Sequence, residues 1–131
     1  ECKKALEEAD GDFEKAIAIL STRAASAAAK KADRALGAGA VAAYVHSNVQ
    51  VGALVVLACE TDFVAKNEEF TRLAYDVAMH AAAMQPHTTE ELMQQAFIKD
   101  TQKTVADLMS SATQKFGERV EVTHLSVLKV A

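Results

Sequence analysis

With 131 residues, 50% of them hydrophobic, the chain has the length of one domain and enough apolar side chains to bury a core without disulfides or metals. Its 14 Lys plus Arg against 18 Asp plus Glu give a net charge of -4, which excludes dependence on a wholly basic surface for nucleic-acid binding. The longest apolar run, Val49 to Cys59, is interrupted by Gln50 and Gly52 and reaches about half the length that a bilayer crossing needs.

In chain order, Cys2 to Ala9 is rich in helix formers and Asp10-Gly11 marks a turn. Asp12 can cap a second helix to about Thr22, with Phe13, Ala16, Ile17 and Leu20 on one face. The chain opens at Glu1 inside what reads as helix, so a further helix is expected upstream. From Ala24 to Ala38 alanine dominates, interspersed with Lys30, Lys31 and Arg34, which reads as an exposed basic helix or linker.

Composition changes at Gly37 and Gly39. Val41 to His46 and Val49 to Cys59 then predict an antiparallel hairpin turning at Ser47-Asn48. Asn67 is the expected N-cap of a helix whose stripe runs Phe70, Leu73, Val77, His80 and Met84 and which Pro86 stops. Thr104 and Asp107 form a capping-box pattern for a helix carrying Val105, Leu108, Ala112 and Phe116 and ending at Gly117. A strand from Arg119 to Val130 closes the chain. The predicted class is α+β, a three-stranded antiparallel sheet packed with helices, its other face either solvated or covered by a partner.

Candidate chemistry is sparse. Cys2 and Cys59 form no disulfide framework, and His46, His80, His87 and His124 are scattered without ligand spacing. A Cys-His nucleophile built on Cys59 with His46 or His80 lacks an orienting third residue and an oxyanion loop, so Cys59 reads as a structural thiol. His80, on an apolar stripe, reads as a core histidine bonded to a backbone carbonyl. Enzymatic activity, metal ions and cofactors are not expected. The informative segment is Thr61-Asp62-Phe63-Val64. Either Thr61 or Asp62 caps a turn while Phe63 packs inward, or a rigid turn presents Phe63 as an interface anchor.

The run Cys59-Glu60-Thr61-Asp62-Phe63-Val64-Ala65-Lys66-Asn67-Glu68 closely resembles the bacterial elongation factor Ts family, the guanine-nucleotide exchange factors of elongation factor Tu. Cys2-Lys3-Lys4-Ala5-Leu6 with Gly11-Asp12, the segment Ala28 to Asp33, and Ala78-Met79-His80-Ala81 agree in the same order. Val56 and Ala58 stand where the family usually has glutamate and asparagine. The resemblance implies a partial ubiquitin-associated-like helical module over residues 1–23, a connector over 24–38 and a core domain over 39–131. The stretch from Pro86 to Phe97 is shorter than the corresponding family excursion.

The resemblance further implies that the chain binds elongation factor Tu through Thr61, Asp62, Phe63, Val64 and His46. Phe63 would wedge between helices near the magnesium site to release GDP, with Asp62 at their polar ends. Neither a small-molecule substrate nor nucleic acid or a membrane is required. Short members with a single core repeat pair as homodimers through their sheets, so a homodimer is expected, in the bacterial cytosol or an organelle matrix. The alternative is a protein-binding module without exchange activity.

Overall fold

The computed structural model describes residues 23–26, 29 and 31–131. The helical pair expected before Arg23 lies outside the described residues, as does part of the basic segment that follows it. Residues 23–26 are helical and Ala24 is buried.

The valine-rich stretch forms a hairpin of β1 (Ala38–Val45) and β2 (Val51–Cys59), and β2 pairs on its other side with β5 (Glu121–Lys129). All pairings are antiparallel and the order is β1-β2-β5. Side-chain alternation turns Val55, Leu57 and Cys59 inward, while Val41, Val45, Leu54 and Leu128 remain exposed on the opposite face.

The hairpin differs from its expected form at both ends. β1 begins at Ala38 with Gly39 inside it, because a Cβ at Gly39 would lie 2.5 Å from the Leu57 carbonyl oxygen and 2.9 Å from the Ala58 Cα. Glycine here permits a close strand approach and does not mark a boundary. At the tip the connection is wider than Ser47-Asn48. The His46 amide donates to the Val51 carbonyl and the Val49 amide to the His46 carbonyl, and Val49 takes a left-handed φ of 54°.

After the hairpin the described residues form the helices α1 (Asp62–Ala65), α2 (Glu68–Met84), α3 (Thr89–Gln94) and α4 (Val105–Phe116). Asn67 caps α2, its side chain accepting from the Glu69 amide, and Glu68 and Glu69 occupy the first turn. Gln85, left-handed at φ 51°, ends α2 just before Pro86. α2 packs on β1 and β2. Its buried face is broader than the expected stripe: Phe70, Val77 and His80 are joined by Ala74, Ala78, Ala81 and Ala82. Met84, expected on that stripe, is 48% exposed. Small alanines let the helix axis approach the sheet and leave a long side chain at the last turn without a buried position.

α4 starts with a complete capping box between Thr104 and Asp107 and ends at Gly117, left-handed at φ 70°. Val105, Met109, Ala112 and Thr113 form its buried side; Leu108 and Phe116 are half-buried. Phe116 meets Phe70 edge to face, centroids 5.8 Å apart, joining α4 to α2. A second sheet, absent from the sequence reading, pairs β3 (Ala96–Phe97) with β4 (Asp100–Thr104). The polar sequence of β4 alternates with no hydrophobic partner set, so it carried no strand signal.

Candidate functional site

β2 ends at the buried Cys59 and the chain passes through Glu60 into α1, a single turn. Thr61 is the N-cap, extended at φ -128° and ψ 154°, with its hydroxyl accepting from the Val64 amide. Val64 and Ala65 are buried beneath the turn, whereas Phe63 is 87% exposed and Asp62 is exposed beside it. Of the two candidate caps it is Thr61 that serves, and of the two readings of Phe63 the outward one holds, with Val64 packing inward in its place. The lysine closing the turn, Lys66, donates its amide back to the Asp62 and Val64 carbonyls. A benzyl side chain on a pinned backbone has two torsions to lose on docking, a low entropic cost for its contact area.

The turn is braced from a distant part of the chain. Glu118, directly after the Gly117 cap of α4, accepts from the Glu60 and Thr61 amides through Oε1 at 3.1 and 3.0 Å. Its Oε2 accepts from the Thr61 hydroxyl at 2.7 Å. Reciprocally, the Arg119 amide donates to Glu60 Oε2 at 2.5 Å, and the Arg34 guanidinium stands 3.7 Å from the same oxygen. Arg119 also donates to the Arg34 carbonyl at 2.6 Å. The end of the basic segment is thus fastened to the two loops that carry the candidate site. Glu118 and Arg119 carried no site signal in the sequence, since no local pattern pairs them with Glu60 and Thr61.

Thr61, Asp62, Phe63 and Val64 are together by sequence, but His46 is not with them. Register pairs Ala38 with Cys59 at one end of the hairpin and Val45 with Gly52 at the other. His46, opposite Val51, therefore lies about 27 Å from the Cys59 end of the hairpin along the strands at ~3.4 Å per residue. It is exposed, with Nδ1 3.2 Å from the Tyr44 hydroxyl, and Tyr44 meets Tyr75 of α2 edge to face.

The candidate thiol and histidine take up structural roles. Cys59 is fully buried with Sγ donating to the Thr61 carbonyl, and burial followed by the carboxylates of Glu118, Asp62 and Glu60 pushes its thiol upward in pKa. A thiolate nucleophile is disfavoured there. His80 is also fully buried. Its Nδ1 accepts from the Ile98 amide at 3.2 Å and its Nε2 donates to Gln95 Oε1 at 2.9 Å. The expected backbone-carbonyl partner is replaced by an amide donor, which needs Nδ1 unprotonated, and by a side-chain acceptor at Nε2. Burial lowers its pKa, opposed by the Gln95 bond.

An open groove of about 540 Å³ runs between α2 and α4, floored by Leu73, Leu108 and Phe116 and lined by neither a histidine nor a cysteine. Among the described residues no group of three or more His, Cys, Asp or Glu is placed to hold a metal ion, and no helix is long and apolar enough to cross a membrane.

Comparison with known proteins bears on this turn directly. A family model described as Elongation factor TS matches residues 60–131, from the residue before Thr61 to the end of the chain. An elongation factor Ts of Thermosipho melanesiensis is 39% identical over 168 residues, covering 94% of this chain and 86% of its own. That span exceeds the 131 residues here, so this relative carries residues with no counterpart in the chain. One of Clostridium botulinum is 39% identical over 99% of the chain, and one of Trichlorobacter lovleyi is 46% identical over 93%. The chain spans only 42% and 39% of those two proteins.

Proposed function

Because the chain belongs to the elongation factor Ts family, we propose that it is a guanine-nucleotide exchange factor for elongation factor Tu, acting in translation elongation in the cytosol. The observation that carries this reading is Phe63, 87% exposed on a capped and braced turn within the matched region. With most of its surface uncovered by its own fold, the ring is available to a partner.

Exchange of this kind makes and breaks no bond. A protein that binds the nucleotide-free form of a GTPase more tightly than its GDP-bound form weakens GDP binding by the same factor. In this mechanism Phe63 enters an apolar gap between helices of the partner, Asp62 meets polar groups at its rim, and the displaced helices lose their hold on the magnesium ion that compensates the phosphates. Thr61, itself exposed, acts as the cap of the turn, and the buried Val64 holds the turn from below without reaching the partner. His46 makes a separate contact at the far end of the hairpin. The exposed face bearing Val41, Val45, Leu54 and Leu128 is assigned to a second copy of the chain, the homodimer's interface.

Stopped-flow release of a fluorescent GDP from elongation factor Tu tests the proposal. Phe63→Ala is expected to slow stimulated release by about tenfold to a hundredfold, the effect of losing an anchor of ~2 kcal/mol. Asp62→Ala should cost less and depend more on salt. No acceleration by the folded wild-type chain, with affinity for the partner intact, would leave a binding module without exchange activity. Sedimentation of wild type against Leu54→Glu tests the dimer: a monomeric wild type removes it.

A further inference from the structure

Resting on the exchange reading, we propose that Glu118 is a positioning residue for Phe63: it fixes the angle at which the turn presents the ring to the partner. A helix of four residues has no stability of its own, so the orientation of α1 is set by what holds its ends. At its amino end that is Glu118. A single carboxylate takes both successive amides, Glu60 and Thr61, and the Thr61 hydroxyl proton as well. Bonds to an ionised acceptor are stronger than neutral ones.

The hydroxyl bond matters most. With its only proton committed to Glu118, the Thr61 oxygen offers a lone pair to the Val64 amide at 3.4 Å, a long bond that would not hold the hydroxyl rotor unaided. Capping by Thr61 and bracing by Glu118 are therefore one device. Val64 and Ala65 pin the turn from below, and the phase of one helical turn then sends Phe63 outward.

Placement of Glu118 follows from the fold. Gly117 in its left-handed cap ends α4 and reverses the chain toward the end of β2, where Ala58 pairs with Glu121. Arg119, with its amide on Glu60 Oε2, completes a reciprocal pair in which each loop's carboxylate takes the other loop's amides. The Arg34 carbonyl on the Arg119 guanidinium extends the brace to the segment before β1.

The test combines Glu118→Ala and Glu118→Gln with Phe63→Ala, read by amide hydrogen exchange and by GDP release. Glu118→Ala is expected to speed exchange of the Glu60 and Thr61 amides by about tenfold or more while leaving Val77 and Ala78 in α2 unchanged. It should slow stimulated GDP release by about tenfold when Phe63 is present but by less than about twofold further in Phe63→Ala, because the two changes remove one contact. Glu118→Gln keeps an acceptor for both amides but places an NH2 where Oε2 took the Thr61 hydroxyl proton, so it should restore protection of the two amides while recovering release only in part, to a rate between those of Glu118→Ala and wild type. Unchanged amide protection in Glu118→Ala overturns the proposal, and so does an equal loss of release in both Phe63 backgrounds. Should the wild type fail to release GDP while Glu118→Ala still loosens the two amides, the exchange reading fails and the bracing of the turn by Glu118 stands.

Discussion

Phe63 and Phe70 carry the same side chain on neighbouring helices, yet one is 87% exposed and the other has no exposed surface. Phe70 follows the Asn67 cap and falls on the face of α2 that meets the sheet, where Phe116 closes over it. Phe63 follows the Thr61 cap on a turn whose inward positions are already taken by Val64 and Ala65. The hydrophobic effect gains from one ring and forgoes the other. Under the proposed function the exposed ring has its energetic use in the partner, whereas the enclosed one has it in the core.

The contrast can be broken most forcefully at Phe70. Phe70→Ala should destabilise the fold by about 3–5 kcal/mol, seen as a fall in the unfolding midpoint, because the cavity opens in a packed core. Phe63→Ala should leave that midpoint within ~0.5 kcal/mol while removing most of the exchange activity. A core-sized loss of stability on truncating Phe63 would mean that the ring is packed in solution and would end its assignment as an anchor. Next in size, Thr104→Ala removes a hydroxyl that accepts from the Asp107 amide at 3.1 Å and should cost ~1 kcal/mol by denaturant unfolding without changing GDP release.

The smallest effect sharpens the contrast through pH. His80 has its pKa lowered in the folded chain by burial, so the neutral ring contributes stability that is present above its ordinary value of 6.5 and is lost as pH falls through the lowered one. Unfolding midpoints measured between pH 7 and pH 5 should decline, and His80→Gln should flatten that decline. A slope unchanged in the variant would assign the acid sensitivity to other groups.

The legible parts of the fold are those whose cause lies within a few residues. Asn67 with Glu68 and Glu69, Thr104 with Asp107, and Gly117 fix the ends of α2 and α4 through bonds to amides and carbonyls one turn away. The β1-β2 pairing was legible from valine content, although its first residues were obscured by Gly39, whose role is contact with Leu57 and Ala58 across the strand. The candidate turn was conspicuous through its likeness to a family, and Thr61 was readable as a cap. The direction of Phe63 was left open between inward and outward, because a local rule cannot say which neighbour will fill the space beneath.

By itself, then, the sequence determined the α+β class, the principal helix ends, the hairpin and the family to which the chain belongs, since local hydrogen bonding and side-chain alternation act over short stretches of chain. Only tertiary structure decided that Val64 enters the core in place of Phe63, that Met84 remains exposed, that Ala96–Phe97 pairs with Asp100–Thr104, and that Glu118 clasps Glu60 and Thr61. Each of these depends on which surfaces meet once the strands are in register. A carboxylate and the amides it accepts from can be far apart along the chain and 3.0 Å apart in the folded molecule.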